Sequence, residues 1–181
     1  MCGGRAVERR QCWGGPASGG NDGVRAIEIA WAIALWGGVT ATLFTTGILV
    51  VALGAGLTRF SPIRCLGCIV TPRPDSRSNL VVGFVLHMIA GSAVFPALYA
   101  IIFELAGRAD ALFGFGIGGA HGVAAGLLVP VYVSRTRCAR SRSTPNPGIF
   151  ARKLGTLTPM GIVLIHAVYG AILGFVYAVP A

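Results

Sequence analysis

Acidic side chains are scarce in this chain, which has six Asp and Glu residues against fifteen Lys and Arg. Charged residues make up 12% of the sequence, whereas a soluble domain carries about 25%. Glu28 and Glu104 lie near the ends of apolar stretches, so no carboxylate is expected at mid-depth for a proton pathway. Ser-His-Asp, H-E-x-x-H, Walker-loop and paired-carboxylate patterns are also missing. Their absence argues against a hydrolase, a nucleotide enzyme and a glycosidase.

Apolar residues account for 54% of the sequence and are concentrated in four long stretches. Each stretch reaches the roughly 20 residues that span a bilayer, which predicts helices at about 27–57, 79–106, 109–133 and 158–179. The predicted fold is therefore all-α, an integral membrane four-helix bundle over residues 25–181. Residues 1–24 are polar and glycine-rich, without the apolar core of a signal peptide, and are expected to form a flexible tail.

Glycines recur at every fourth position of the third predicted span, as Gly114, Gly118, Gly122 and Gly126. Residues i and i+4 share one helix face, so these glycines form a ridge without side chains. Small residues allow helices to approach closely in lipid. Similar stripes occur in the second and fourth spans, and together they predict the helix-packing surfaces. Those stripes contain Gly83 and Gly91 in the second span, and Gly170 and Gly174 in the fourth.

Two of these stripes also include a histidine. His87 precedes Gly91 by four residues, and His166 precedes Gly170 by four. This weak internal repeat predicts two similar helical hairpins in the same orientation, related by an axis along the membrane normal.

The basic residues indicate how the chain is oriented in the membrane. Ten lie in loops 1 and 3, namely Arg59, Arg64, Arg73, Arg77, Arg135, Arg137, Arg140, Arg142, Arg152 and Lys153. The positive-inside rule places these loops in the cytoplasm and both termini outside, in a bacterial inner membrane. The expected contacts of the basic loops are anionic lipid headgroups, not nucleic acid.

The ridge around His121 and the His166-x-x-x-Gly170-x-x-x-Gly174 stripe before Tyr177 carry a resemblance. Over residues 79–179 the chain resembles a class of bacterial four-span membrane proteins with Gly/His-rich helices. This resemblance implies no activity.

All three histidines of the chain lie inside predicted spans, where an ionisable side chain suggests a functional site. His87 and His166 are each about eight residues from the loop 1 and loop 3 ends of their helices, roughly 12 Å deep. The two should therefore lie level, with His121 about two turns away. We interpret the three chiefly as interhelical hydrogen-bonding groups.

Two cofactor alternatives remain open for the histidines. His87 and His166 could be axial ligands of a haem b, with Gly91 and Gly170 leaving room for the macrocycle. Alternatively His87 and His121, with Met88, could bind copper or another transition metal.

Cys65 and Cys68 form a C-x-x-C between the first two spans. In a small four-span protein this arrangement resembles the quinone-linked thiol oxidases of the DsbB type, which implies thiol–disulfide exchange by Cys65 and Cys68. The chain departs from that pattern because loop 3 has one cysteine, Cys138, and because the charge rule places both loops in the reducing cytoplasm. A zinc site would need four ligands, and this side has three cysteines.

Taken together, the sequence favours a structural, accessory or ligand-binding subunit of a membrane complex over a free-standing enzyme. Its expected partners are membrane lipid and either other membrane subunits or further copies of itself. A haem- or metal-binding redox module is the second hypothesis, and a thiol–disulfide oxidoreductase is the third.

Overall fold

The computed structural model describes residues 29–142 and 146–179, so the predicted tail at 1–24 lies outside the described residues. The chain forms seven α-helices within these ranges. They are α1 (Trp31–Gly54), α2 (Pro62–Gly67), α3 (Arg77–Ile89), α4 (Phe95–Ala106), α5 (Ala111–Ser134), α6 (Arg137–Arg140) and α7 (Thr158–Tyr177). A π-helical turn, Ala90–Val94, joins α3 to α4, and a 3-10 helix, Ile149–Leu154, precedes α7.

Four helical segments are long and apolar enough to cross a membrane: α1, the continuous unit from α3 to α4, α5 and α7. This confirms the predicted all-helical, four-span membrane bundle. Along the chain, α1 packs antiparallel to the π turn and α4, and α5 packs antiparallel to α7. The two hairpins meet where α7 packs along α1.

Pro96 explains the irregular second span. Proline has no backbone N–H and its ring clashes with the carbonyl four residues earlier, so it disturbs the hydrogen bonds of an α-helix and tends to kink it. The backbone widens into the Ala90–Val94 π turn just before this residue. The Tyr169 hydroxyl donates a 2.5 Å hydrogen bond to the Gly91 carbonyl, which satisfies one acceptor of the widened turn.

Helices α2 and α3 pack tightly on each other, and we call them together the arm. A Cβ at Gly83 would overlap the Ile63 carbonyl, and one at Gly67 would overlap the Asn79 backbone. Asn79 is fully buried, and its amide donates to the Thr71 hydroxyl at 2.9 Å. Gly83 therefore packs within the arm rather than against a neighbouring span.

The remaining stripe glycines lie at contacts between different elements. A Cβ at Gly114 would meet the Gly170 carbonyl, and one at Gly118 would meet the His166 carbonyl. The other contacts are Gly122 with Val163, Gly126 with the Phe150 ring, Gly174 with the Asp110 carbonyl and Gly91 with the Thr42 side chain. The α5–α7 pair is consequently in close backbone contact at Gly114, Gly118 and Gly174. Whether these glycines drive association in lipid stays a prediction.

Candidate ligand-binding cleft

A cleft of about 1030 Å³ lies in the half of the bundle that faces loops 1 and 3. The arm, α1, α5 and α7 form its walls. The cleft lies between the arm and the other helices because α3 packs on α2 and the π turn, whereas α4 packs on α1 and α7. Most of the lining is apolar, including Leu49, Leu66, Leu128, Val129, Ile162 and Ile165. No Asp or Glu of the described residues lines it.

All three histidines line this cleft at its inner end. On α5 the lining begins at His121 and continues to Arg135 near the loop, a distance of roughly 21 Å at 1.5 Å per residue. The cleft is thus a long apolar groove with imidazoles at one end. Arg135 and Arg140 line the other end, where the Arg140 guanidinium donates to the Arg135 carbonyl at 3.1 Å.

Each imidazole makes one hydrogen bond to a different part of the protein. His87 Nε2 lies 2.9 Å from the Thr46 hydroxyl, and His121 Nδ1 lies 3.2 Å from the Tyr99 hydroxyl. His166 Nδ1 lies 2.7 Å from the Ile162 carbonyl of the same helix, α7, so the expectation of an interhelical hydrogen bond is wrong for His166. Since a carbonyl only accepts, His166 Nδ1 carries the proton, and Nε2 of the neutral ring is an acceptor.

The second nitrogen of each ring has no hydrogen-bond partner within the described parts of the chain. These atoms are Nδ1 of His87, Nε2 of His121 and Nε2 of His166. Three ring nitrogens that belong to residues lining an apolar cleft can therefore still bind a ligand. Only His166 has its tautomer set by its partner, since the hydroxyls of Thr46 and Tyr99 can either donate or accept.

His121 and His166 form the closest pair of imidazoles, with ring centres 4.7 Å apart and planes at 73°. The sequence-based expectation that His121 lies two turns away from His166 is therefore wrong. The antiparallel register of α5 on α7 brings Gly118 and Gly122 against His166, and His121 falls between them. The sequence does not contain that register. Within the described ring contacts, His87 meets no other imidazole.

The arrangement limits the metal and haem hypotheses. The described residues contain no group of three or more His, Cys, Asp or Glu placed to hold a metal ion. Met88, the proposed thioether ligand, does not line the cleft. The haem hypothesis concerns His87 and His166, whose rings make no contact with each other among the described ring contacts. Haem ligation by His87 and His166 stays a prediction.

The cysteines pair differently from the C-x-x-C hypothesis. Cys68 forms a disulfide with Cys138, with their Cα atoms 5.3 Å apart, and so joins loop 1 to loop 3. Cys65 is a free thiol that lines the cleft. Burial raises the pKa of Cys65 to about 11, whereas a reactive C-x-x-C thiol has a lowered pKa. Thiol exchange between Cys65 and Cys68 was not tested and stays a prediction.

Sequence reasoning missed the partners that orient the imidazoles. Thr46 and Tyr99 fix two of the rings, and Tyr99 is buried in the core with Phe103 and Tyr169. The hydroxyl-rich face of α1, with Thr42, Thr45 and Thr46 at helical spacing, was the available signal. It could not be assigned to His87 because the α1–α3 register was unknown.

Fold and cleft together define a multi-pass, all-helical membrane protein with an intramembrane cavity. Comparison with known protein families, curated proteins and solved structures finds no significant match. The chemistry of the cleft is consequently the basis for a functional proposal.

Proposed function

We propose that this protein is a ligand-binding subunit of the membrane, and that its ligand is a neutral, lipid-soluble molecule with a hydrogen-bonding polar group. The observation that carries the proposal is the set of three imidazoles, each using one nitrogen for the protein and leaving the other unpartnered. These nitrogens are not among the buried unpartnered atoms of the described residues, so they are open to the cleft. A ligand with a hydrogen-bonding group can therefore supply their missing partners.

The shape and charge of the cleft support this ligand class. Its volume of about 1030 Å³ lies at the upper end of the roughly 300–1,000 Å³ of small-molecule pockets. No carboxylate lines it within the described residues, and the arginines are at the opposite end from the imidazoles. A charge at the bilayer centre costs about 2.5–3.5 kcal/mol on insertion scales. The polar group near the histidines should therefore be uncharged.

The setting we propose is a bacterial cytoplasmic membrane, with both termini outside and the cleft opening toward the cytoplasmic half. The ten basic residues of loops 1 and 3 support this orientation. Large apolar side chains on the outer faces, including Leu105 and Leu112, need lipid or another subunit to cover them. This supports a role within a membrane complex or a homo-oligomer.

The test is photolabelling of the detergent-purified protein with hexadecanol that carries a diazirine, followed by peptide mapping. We expect labelling of α5 and α7 peptides to fall at least tenfold in His121→Ala and His166→Ala. It should be unchanged in Leu127→Ala, which removes an exposed side chain of α5 that does not line the cleft. The tagged hexadecanoate should label the histidine end less than the alcohol does.

Equal labelling in all four proteins would overturn the proposal, since it would show adsorption rather than binding. An absorption spectrum of the same preparation addresses the haem alternative. A Soret band that disappears in His87→Ala and His166→Ala would replace the proposed ligand with haem. We expect a colourless protein.

A further inference from the structure

The Cys68–Cys138 disulfide lies where the arm meets the loop end of α5. Both residues are buried, with 3% and 0% of their surfaces exposed. Hydrogen bonds near the disulfide include the Arg137 N–H to the Cys68 carbonyl at 2.8 Å, the Ser141 hydroxyl to the Pro72 carbonyl at 2.9 Å and the Tyr132 hydroxyl to the Cys65 carbonyl at 3.1 Å. The disulfide and the first two of these bonds join loop 1 to loop 3, and the third joins α2 to α5.

The arm carries one of the three imidazoles. His87 is on α3, whereas His121 and His166 are on α5 and α7. The arm behaves as one unit, because backbone contacts at Gly67 and Gly83 leave no space between α2 and α3. It is attached to the rest of the described bundle at its two ends and, between them, by the His87–Thr46 contact with α1 and the Tyr132–Cys65 hydrogen bond with α5. One end is the π turn against α1, and the other is the disulfide.

The disulfide fixes the end of the arm that lies away from the π turn, and His87 is on the same unit, within one turn of the π turn. We propose that the Cys68–Cys138 disulfide is a clasp that positions the arm across the cleft, so that His87 contributes to ligand binding only while the disulfide is closed. This inference rests on the proposed ligand-binding function. Cys68 and Cys138 are positioning residues in it, since they act through the arm.

The clasp is reversible if a dithiol can reach it. A dithiol reductant supplies two electrons and two protons to the S–S bond, which leaves two thiols on the protein and a disulfide on the reductant. Exchange requires access to a sulphur atom, and both sulphurs are buried, so reduction begins with a local opening of loops 1 and 3 around the disulfide. In the cytoplasm, where the charge rule places these loops, disulfides are typically transient or redox-sensing.

The first experiment measures arm position without any ligand. Spin labels on unnatural side chains at positions 81 and 164 report the distance between exposed sites of α3 and α7. We expect one narrow distance distribution in the oxidised protein, and a broader one in Cys68→Ser/Cys138→Ser or after dithiothreitol. Cys65→Ser is the matched control and should resemble the oxidised wild type. Identical distributions in all samples would overturn the clasp.

The second experiment tests whether the clasp acts through His87. Photolabelling by the diazirine-tagged hexadecanol should fall several-fold on reduction of the wild type. His87→Ala should lower labelling in the oxidised protein and cause no further loss after reduction, whereas His121→Ala should lower it in both states. If the disulfide only stabilises the fold, His87→Ala should lower photolabelling as much in the reduced protein as in the oxidised protein. That result would overturn the positioning role.

The two experiments separate the inference from the function beneath it. Specific labelling that is insensitive to reduction would keep the proposed function and reject the clasp. If the photolabel modifies no protein specifically, the proposed function fails, and a role of His87 in ligand binding fails with it. The spin-label distances still show whether the arm moves when the disulfide is reduced.

Discussion

The Tyr99 hydroxyl lies 3.2 Å from Nδ1 of His121 and links α4 to α5 at the inner end of the cleft. Tyr99 is 2% exposed, so its hydroxyl has no access to water as an alternative partner. The contact therefore fixes which nitrogen of His121 is turned toward the protein.

We predict that His121→Leu and Tyr99→Phe each lower the free energy of unfolding by about 1–3 kcal/mol, because each leaves a buried polar group unpartnered. The double variant removes both groups and should cost less than the sum by about 0.5 kcal/mol or more. SDS titration in mixed micelles measures all three. Additive losses would show that the two residues stabilise the bundle independently.

Adjacent glycines of α5 provide a matched test of the α5–α7 contact. A Cβ at Gly118 would meet the His166 carbonyl and the Cα of Ala167, whereas a Cβ at Gly119 has nothing within 4 Å. Gly118→Ala should therefore destabilise by about 1–3 kcal/mol through overpacking. Gly119→Ala should be neutral or gain up to about 1 kcal/mol of helix propensity. Thermal unfolding in one detergent compares them, and equal melting temperatures would contradict the close contact.

Acid should weaken the turn between α4 and α5 through Asp110. Its carboxylate accepts from the Phe113 N–H at 2.9 Å and caps α5. The hydrogen bond from the Arg108 guanidinium is the main cause that holds the pKa of Asp110 below its usual 3.8. A carboxyl with a lowered folded pKa contributes its full stability above the unfolded pKa and loses it as the pH falls through the folded pKa.

We accordingly expect the melting temperature of the wild type to fall as the pH drops below about 4. Asp110→Asn should show a smaller acid dependence in that range, since it has no proton to gain. Arg108→Gln should shift the acid transition upward, because the carboxyl loses its main stabilising partner. Parallel acid profiles for the three proteins would contradict this account.

The orientation predicted from charge can be tested with single cysteines. In a background with serine at Cys2, Cys12 and Cys65, Ser78→Cys reports on loop 1 and Arg108→Cys on the α4–α5 turn. A membrane-impermeant maleimide applied to intact cells should label the second variant and leave the first unlabelled until lysis. The reverse pattern would place the Cys68–Cys138 disulfide in an oxidising compartment, where disulfides persist.

Patterns within one helix predicted the fold well. The apolar stretches identified all four spans, and a proline, Pro96, stands in the sequence just after the residues that form the π turn. Both depend on residues close together in the sequence. The length of an apolar stretch and the missing N–H of a proline are local properties, so both can be recognised in a single sequence.

Relationships between helices were not predictable in the same way. The depths of His87 and His166 suggested that these two pair, whereas His121 contacts His166. Cys68 and Cys138 are 70 residues apart, and only the folded bundle brings them together. Gly83 belongs to a small-residue stripe but packs on α2. A sliding of one helix by a single turn would change each of these contacts without altering any apolar pattern.

The rim of the cleft has a consequence for how the site fills. Ile48, Leu128, Val131 and Leu164 line it and are also among the exposed apolar residues of the spans. Acyl chains of the bilayer therefore surround this opening. A ligand of the proposed class would then enter by lateral diffusion within the leaflet, and its occupancy would follow its mole fraction in the membrane rather than its aqueous concentration. A compound with a high partition coefficient can saturate such a site while it is almost undetectable in water.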